Sequence, residues 1–246
     1  MRRALAMLAL LAAIGCASLA SSPSTSPATG PLHESRQLIV VTSDSWDETH
    51  ATLRRYERAT TSEAWQLLGG PIPVMLGRSG LAWGVGINSE SGDGPRKHEG
   101  DGKSPAGIFR LGAAFGFAAT ADGVKLPYVP LRPTTECVDD VASMHYNRIV
   151  DRAEVPRVDW SSSEKMRAIP VYEWGVVVLH NDAPTAGGGS CIFLHATSGK
   201  PTSGCTAMPA DDIAAIAHWL DPDARPLLVQ LPSAEYARLR GRWQLP

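Results

Sequence analysis

The sequence predicts a mainly β fold with a few short helices. Three observations carry this. The 246 residues include 23 Gly and 19 Pro, a wealth of turn-formers. Short apolar runs recur between those turns, the pattern of an all-β sandwich or barrel. Convincing helical spacing comes only after residue 209.

The elements follow in order. Residues 37–42 form a short β-type run. Residues 49–58 alternate imperfectly, with Thr52, Arg54 and Tyr56 on one face and Leu53 and Arg55 on the other. A strand at 65–68 meets a Gly69-Gly70-Pro71 turn, and residues 72–76 and 81–87 give further strands. Residues 90–104 read as a polar loop bearing Lys97, His98 and Lys103, followed by a strand at 105–111. Residues 136–160 look irregular. The clearest buried strand lies within 171–181. Gly187-Gly188-Gly189 then connects tightly to a strand at 191–195. A helix is expected over 210–220, where Ile213, Ile216, Ala217 and Leu220 recur at helical spacing behind Pro209, Asp211 and Asp212. A strand at 227–231 and a short helix at 233–240 complete the fold. No repeat or second linker is visible after residue 36, so 36–246 reads as a single domain.

The N-terminus reads as a leader. Arg2 and Arg3 precede an apolar run at 4–14 that is too short to span a bilayer as a helix. Residues 1–16 are therefore expected to be a signal peptide. Ala13-Ile14-Gly15-Cys16 resembles a lipobox, which would leave Cys16 lipidated. Ser18-Leu19-Ala20 offers an ordinary cleavage site instead. Residues 17–35, rich in Ser, Pro, Thr and Ala, read as a disordered tether. The protein is expected to be exported and periplasmic, held to the envelope through Cys16, and monomeric.

Setting Cys16 aside leaves Cys137, Cys191 and Cys205. In an oxidising compartment, three cysteines suggest one disulfide and one free thiol. The expected pair is Cys137–Cys191 with Cys205 free. Two alternatives stay open: Cys137 and Cys191 as reduced, buried residues, or a Cys191–Cys205 bridge that would block any chemistry at Cys205.

A net charge of −2 gives no electrostatic case for nucleic acid. There is no CxxC or HExxH to hold a metal, no GxGxxG loop and no GxSxG elbow. The segment that does carry chemistry is residues 191–208. On a strand at 191–195, Cys191, Phe193 and His195 share one face and Ile192 and Leu194 the other. The loop that follows contains Gly199, Pro201 and Gly204, so it can double back and bring the imidazole Nε2 to the Cys205 thiol. A thiol is a strong nucleophile as thiolate, and imidazole is the usual activator. The amides of Gly204 and Cys205 are the expected oxyanion donors.

His195 with Thr202-Ser203-Gly204-Cys205 resembles the motif of the L,D-transpeptidases (YkuD-domain proteins): a histidine, a spacer, then Ser/Thr-x-Gly-Cys. Residues 102–109, with Pro105, Gly107 and Phe109, resemble the upstream Thr-Pro-x-Gly-x-Phe segment of that family. The look is of a divergent Gram-negative branch. The resemblance implies a β-sandwich-like catalytic domain acting on peptidoglycan stem peptides without metal or organic cofactor. It makes Cys205 the nucleophile and His195 the base, with Thr202, Ser203, Gly204 and His180 contacting or orienting substrate. A plain strand-end role for His180 is the other reading. Three departures stand out: Ser203 where a basic residue is usual, Ala207 where Arg or Asn is common, and a short His-to-Cys spacer. Lys97, His98 and Lys103 are candidates for substrate carboxylates or members of a solvated loop. The functions expected are amine transfer (3→3 cross-linking or related), hydrolysis of the same peptides, or a non-catalytic envelope-binding lipoprotein.

Overall fold

A computed structural model describes residues 30–88 and 92–246. The leader, Cys16 and most of the expected tether lie outside these residues. Residues 30–35, assigned above to the tether, pack on the domain instead. Leu32 is fully buried, and the Arg58 guanidinium donates to the Leu32 and Ser35 carbonyls.

The strands in order are β1 (Gln37–Ser43), β2 (His50–Glu57), β3 (Gln66–Met75), β4 (Leu81–Trp83), β5 (Ser104–Gly116), β6 (Tyr128–Pro130) and β7 (Thr135–Val138). They continue with β8 (Ile149–Asp151), β9 (Ser163–Lys165), β10 (Trp174–Val178), β11 (Phe193–Ala196), β12 (Thr206–Met208) and β13 (Leu227–Pro232). The helices are α1 (Ala210–Trp219) and α2 (Ser233–Trp243).

Eight strands close into a ring in the order β10-β11-β12-β3-β2-β1-β13-β5, and β5 returns to pair with β10. Ring closure depends on the length of β5. Its 13 residues pair with β13 through Gly107–Arg110 and with β10 through Leu111–Gly116, while its ends add β4 and β6. Most pairs within the ring are antiparallel, but β1–β13 and β11–β12 run parallel, as do the added pairs β4–β5 and β5–β6.

Where the sequence suggests a Gly69-Gly70-Pro71 turn, β3 runs straight through. Gly69 adopts φ +70° and the register against β2 shifts between Leu53 and Arg55, so the extra residue is absorbed as an irregularity in a continuous strand. The segment read as irregular contributes a second sheet, β8-β7-β9. Its strands are only three or four residues long, too short for alternation to register in the sequence.

Two apolar cores result. The larger fills the ring and continues under α1 and α2. It holds Leu38, Val40, Ile108, Phe109, Ile192, Leu194, Ile213, Ile216 and Trp243. The smaller lies between β11 and the second sheet and holds Phe115, Cys137, Tyr172, Cys191, Phe193 and Cys205. The alternation expected over 191–195 therefore holds: Ile192 and Leu194 face the ring, while Cys191 and Phe193 face the other way. A disulfide joins Cys137 to Cys191 and leaves Cys205 as the free cysteine of the described residues.

Candidate active site

Cys205 stands at the threshold of β12, and its backbone is clamped. Its carbonyl accepts from Thr202 Oγ1 at 2.7 Å and from Ser104 Oγ at 2.8 Å. On the next residue, Thr206 Oγ1 donates to Gln230 on β13, whose amide donates to the Pro105 carbonyl. The nucleophile candidate is thus fixed from three directions before its sulfur is considered.

The sulfur is buried. It accepts from the Phe193 N–H at 3.3 Å and donates to the Cys191 carbonyl at 3.4 Å. Burial, with the Glu164 carboxylate nearby, pushes the thiol pKa up to about 12; the Phe193 amide, Lys97 and Tyr172 oppose this. Cys205 at rest is a thiol, and a proton acceptor must act for it to attack.

His195 is buried as well, and burial pulls its pKa down to about 4. Its Nδ1 lies 2.7 Å from the Ala196 carbonyl. Nδ1 must therefore carry the hydrogen, which leaves Nε2 as a lone-pair acceptor. The parallel register pairs His195 with Ala207 and Leu194 with Thr206, so Cys205 falls level with Phe193. The two residues are on one face but two positions apart, about 6–7 Å along the strand. This offset explains why the hydrogen bond expected between Nε2 and the thiol is absent among those of the described residues. Both side chains still line one cavity of about 270 Å³, together with Glu164, Tyr172, Lys200, Thr202, Ser203 and Ala207.

The oxyanion donors need revision. The Gly204 N–H donates to Thr202 Oγ1 at 3.0 Å and is committed to the turn. Of the two expected donors this leaves the Cys205 amide. Space at Gly204 is tight: a Cβ there would sit 3.2 Å from the Lys103 carbonyl and 3.3 Å from Ile192 Cδ1, so a neighbour would have to give by a few tenths of an ångström. Ser203 is exposed on the rim, where Arg78 Nη1 donates to its hydroxyl at 3.3 Å. A cation therefore reaches this position from a different loop. Nothing in the motif points to Arg78.

His180 does not line this cavity. It is a buried brace whose Nδ1 accepts from the Val85 N–H and whose Nε2 donates to the Gly188 carbonyl. Burial lowers its pKa to about 4, consistent with a neutral structural ring. The loop cations are also committed. Lys97 forms a buried pair with Asp101 at 2.7 Å, and Lys103 reaches Asp47 and the Ser79 carbonyl. His98 lies on the surface beside the Glu99 carbonyl.

The residues that sequence reasoning misses are Tyr172 and Glu164. Tyr172 packs edge-on against both Phe193 (5.5 Å between ring centroids) and His195 (5.2 Å), which spans the two-residue offset. Its hydroxyl donates to Glu164 Oε2 at 2.6 Å. In the sequence it is one apolar residue in an apolar run, and Glu164 sits in an unpatterned stretch.

The L,D-transpeptidase catalytic-domain model, YkuD, matches residues 65–229. The chain belongs to that family. No curated protein and no solved structure matches it. The L,D-transpeptidases are cysteine-dependent enzymes of peptidoglycan, and the matched span takes in the Cys205 loop, His195, Tyr172 and Glu164. Among the described residues no cluster of His, Cys, Asp or Glu is arranged to hold a metal, and no helix is long and apolar enough to cross a membrane.

Proposed function

We propose that this L,D-transpeptidase-family protein is a cysteine acyltransferase whose nucleophile is Cys205. A peptidoglycan tetrapeptide stem presents its third residue, a meso-diaminopimelate, and the sulfur attacks that carbonyl. The terminal D-Ala leaves, and an amine of a second stem resolves the acyl-enzyme to give a 3→3 or related link. The neutral His195 ring, with Nε2 free as an acceptor, takes a proton during attack and returns it to the departing amine. The Cys205 amide, the one of the two expected donors not committed to the turn, binds the developing oxyanion. The observation that carries this reading is one free, buried thiol sharing a cavity with a neutral histidine in a YkuD domain.

Water as acceptor is the second reading. Ala207 favours it: a small side chain lines the cavity where the family commonly places Arg or Asn, so one acceptor contact is missing. Export, with lipid attachment at Cys16, is supported by the leader and by a disulfide inside the domain.

The test is intact-protein mass after incubation with a carbapenem, for wild type and Cys205→Ala. An adduct on wild type alone supports the nucleophile. Equal labelling of both, or of neither, refutes it. Incubation with tetrapeptide muropeptides then separates the acceptors, because cross-linked dimers form only when an amine outcompetes water.

A further inference from the structure

Two carboxylates on neighbouring strands of the second sheet meet opposite surroundings. Glu136, on β7, sits opposite Lys165 of β9, and its oxygens meet Lys165, Arg152, Ser163 and Trp160. Glu164, on β9, sits opposite Cys137 and so turns to the other face, toward Cys191 and Cys205. There its Oε2 accepts from the Tyr172 hydroxyl at 2.6 Å, and no cation of the described residues pairs with it. Buried carboxylates are ordinarily paired. One left without a cation beside a nucleophile points to a cation that arrives with the substrate.

The cavity fixes where that cation would sit. Glu164 is the one carboxylate among its described lining residues, and Cys205, His195 and Tyr172 line it too. The Tyr172 ring packs edge-on against His195 at 5.2 Å while its hydroxyl holds Glu164. The carboxylate is thereby kept on the side of the base. An incoming amine must approach the same place, because its nitrogen has to reach both the acylated sulfur and His195. The donor stem's own free amine is at the far end of its side chain, away from the carbonyl bonded to sulfur.

We propose that Glu164 recognises the ammonium group of the acceptor stem and holds its nitrogen beside His195 and the acylated Cys205. The proposal rests on the acyl-transfer reading above and makes Glu164 a determinant of amine over water. The acceptor arrives with three hydrogens on nitrogen. One passes as a proton to the Glu164 carboxylate and from there to solvent. The freed lone pair bonds to the thioester carbon. As the C–S bond breaks, its electron pair goes to sulfur, and a second proton passes through His195 Nε2 to make the thiol. The third hydrogen stays on the new amide. Burial raises the Glu164 carboxyl to about 7; the Tyr172 hydrogen bond opposes the rise, and Asp139 and Glu99 add to it. A docked ammonium favours the ionised carboxylate, and a base near neutrality accepts its proton more readily than an ordinary carboxylate.

The experiment has two arms on the full-length protein, with near-UV circular dichroism to verify packing. In the first, isothermal titration in the Cys205→Ala background measures binding of a tripeptide stem ending in diaminopimelate, its side-chain amine free or acetylated. The free amine is expected to bind about tenfold tighter. Glu164→Gln is expected to erase that preference and Glu164→Asp to keep part of it. Equal binding of the two ligands, or a preference that survives Glu164→Gln, overturns the proposal. The ligand comparison needs no change at Glu164, so it stands if that variant misfolds. In the second arm, the acyl-enzyme formed from tetrapeptide stems partitions between cross-linked dimer and hydrolysed tripeptide, a ratio independent of the acylation rate. Glu164→Gln is expected to lower the ratio about tenfold. An unchanged ratio beside a lost binding preference would assign the ammonium to the donor and overturn the acceptor role, as would an acyl-enzyme that yields no dimer. A free-amine preference in a protein that no carbapenem or tetrapeptide acylates would refute the acyl-transfer reading and leave the ammonium site standing. Acylation at Cys205 with equal binding of the two ligands would refute the Glu164 assignment alone.

Discussion

Replacing both Cys137 and Cys191 with Ala tests how far the second sheet depends on its covalent tie. The two residues are separated by 54 positions. Loop-closure entropy for a loop of that size is about 14 cal/mol/K, or about 4 kcal/mol at 25 °C, gained by restricting the unfolded chain. For a domain of this size each kcal/mol moves the melting midpoint by about 2–4 °C. The expected drop is therefore about 8–16 °C, read by circular dichroism or calorimetry at pH 7. The effect has a local side. β7 carries Cys137, and Cys191 presents its carbonyl to the Cys205 thiol. Hydrogen exchange in the variant should rise first in β7–β9 and at residues 187–193, while β1, β5 and β13 stay protected. A midpoint change under about 3 °C, or exchange rising evenly through the ring, would refute the argument, because the sheet would then be held by its packing alone.

Further outcomes follow from the same contacts. Asp101→Asn leaves the Lys97 ammonium buried without its partner and should cost about 3–5 kcal/mol by urea denaturation, whereas Lys97→Met with Asp101→Leu should cost less. Phe115→Ala removes a fully buried ring packed edge-on against Tyr172 and Phe193 and should cost about 3–5 kcal/mol by urea denaturation. Burial tends to raise the Glu136 carboxyl, but Lys165, Ser163 and Trp160 outweigh it and hold its pKa at about 2, below the ordinary 4.5. Its stabilisation is complete above pH 4.5 and is lost as pH falls toward 2, so Glu136→Gln should lower the melting midpoint at pH 7 and converge with wild type near pH 2.

The legible parts of this protein are those with long patterns or chemical punctuation. α1 announced itself through Ile213, Ile216 and Ala217 behind two acids, and it forms over Ala210–Trp219. Cys205 behind a glycine, ten residues after His195, marked the site, and the motif resemblance agrees with the family match. What stayed hidden depends on register or on distant chain. No sequence pattern shows that β11 and β12 pair in parallel with His195 opposite Ala207, yet that pairing sets the two-residue gap between base and nucleophile. Glu164, on β9, and Tyr172, in the short turn before β10, join the cavity of Cys205 from stretches that have no periodicity to read. His180 looked like a site residue because strand ends often carry function. Its ring is consumed instead by the backbone of two loops.

Ring closure has a consequence for life at high local concentration. An open sheet offers a row of unpaired backbone groups on which a neighbouring copy can add a strand. Here β1, β2 and β13 are flanked on both sides, and β4, β6, β8 and β9 are stubs of three residues apiece, too short to template a second chain. The seam is β3, which meets β12 only at Met75 and so keeps an open edge along residues 66–74. Pro71 and Pro73 remove two backbone donors from that strand, so a copy crowded against it on a surface meets an interrupted ladder.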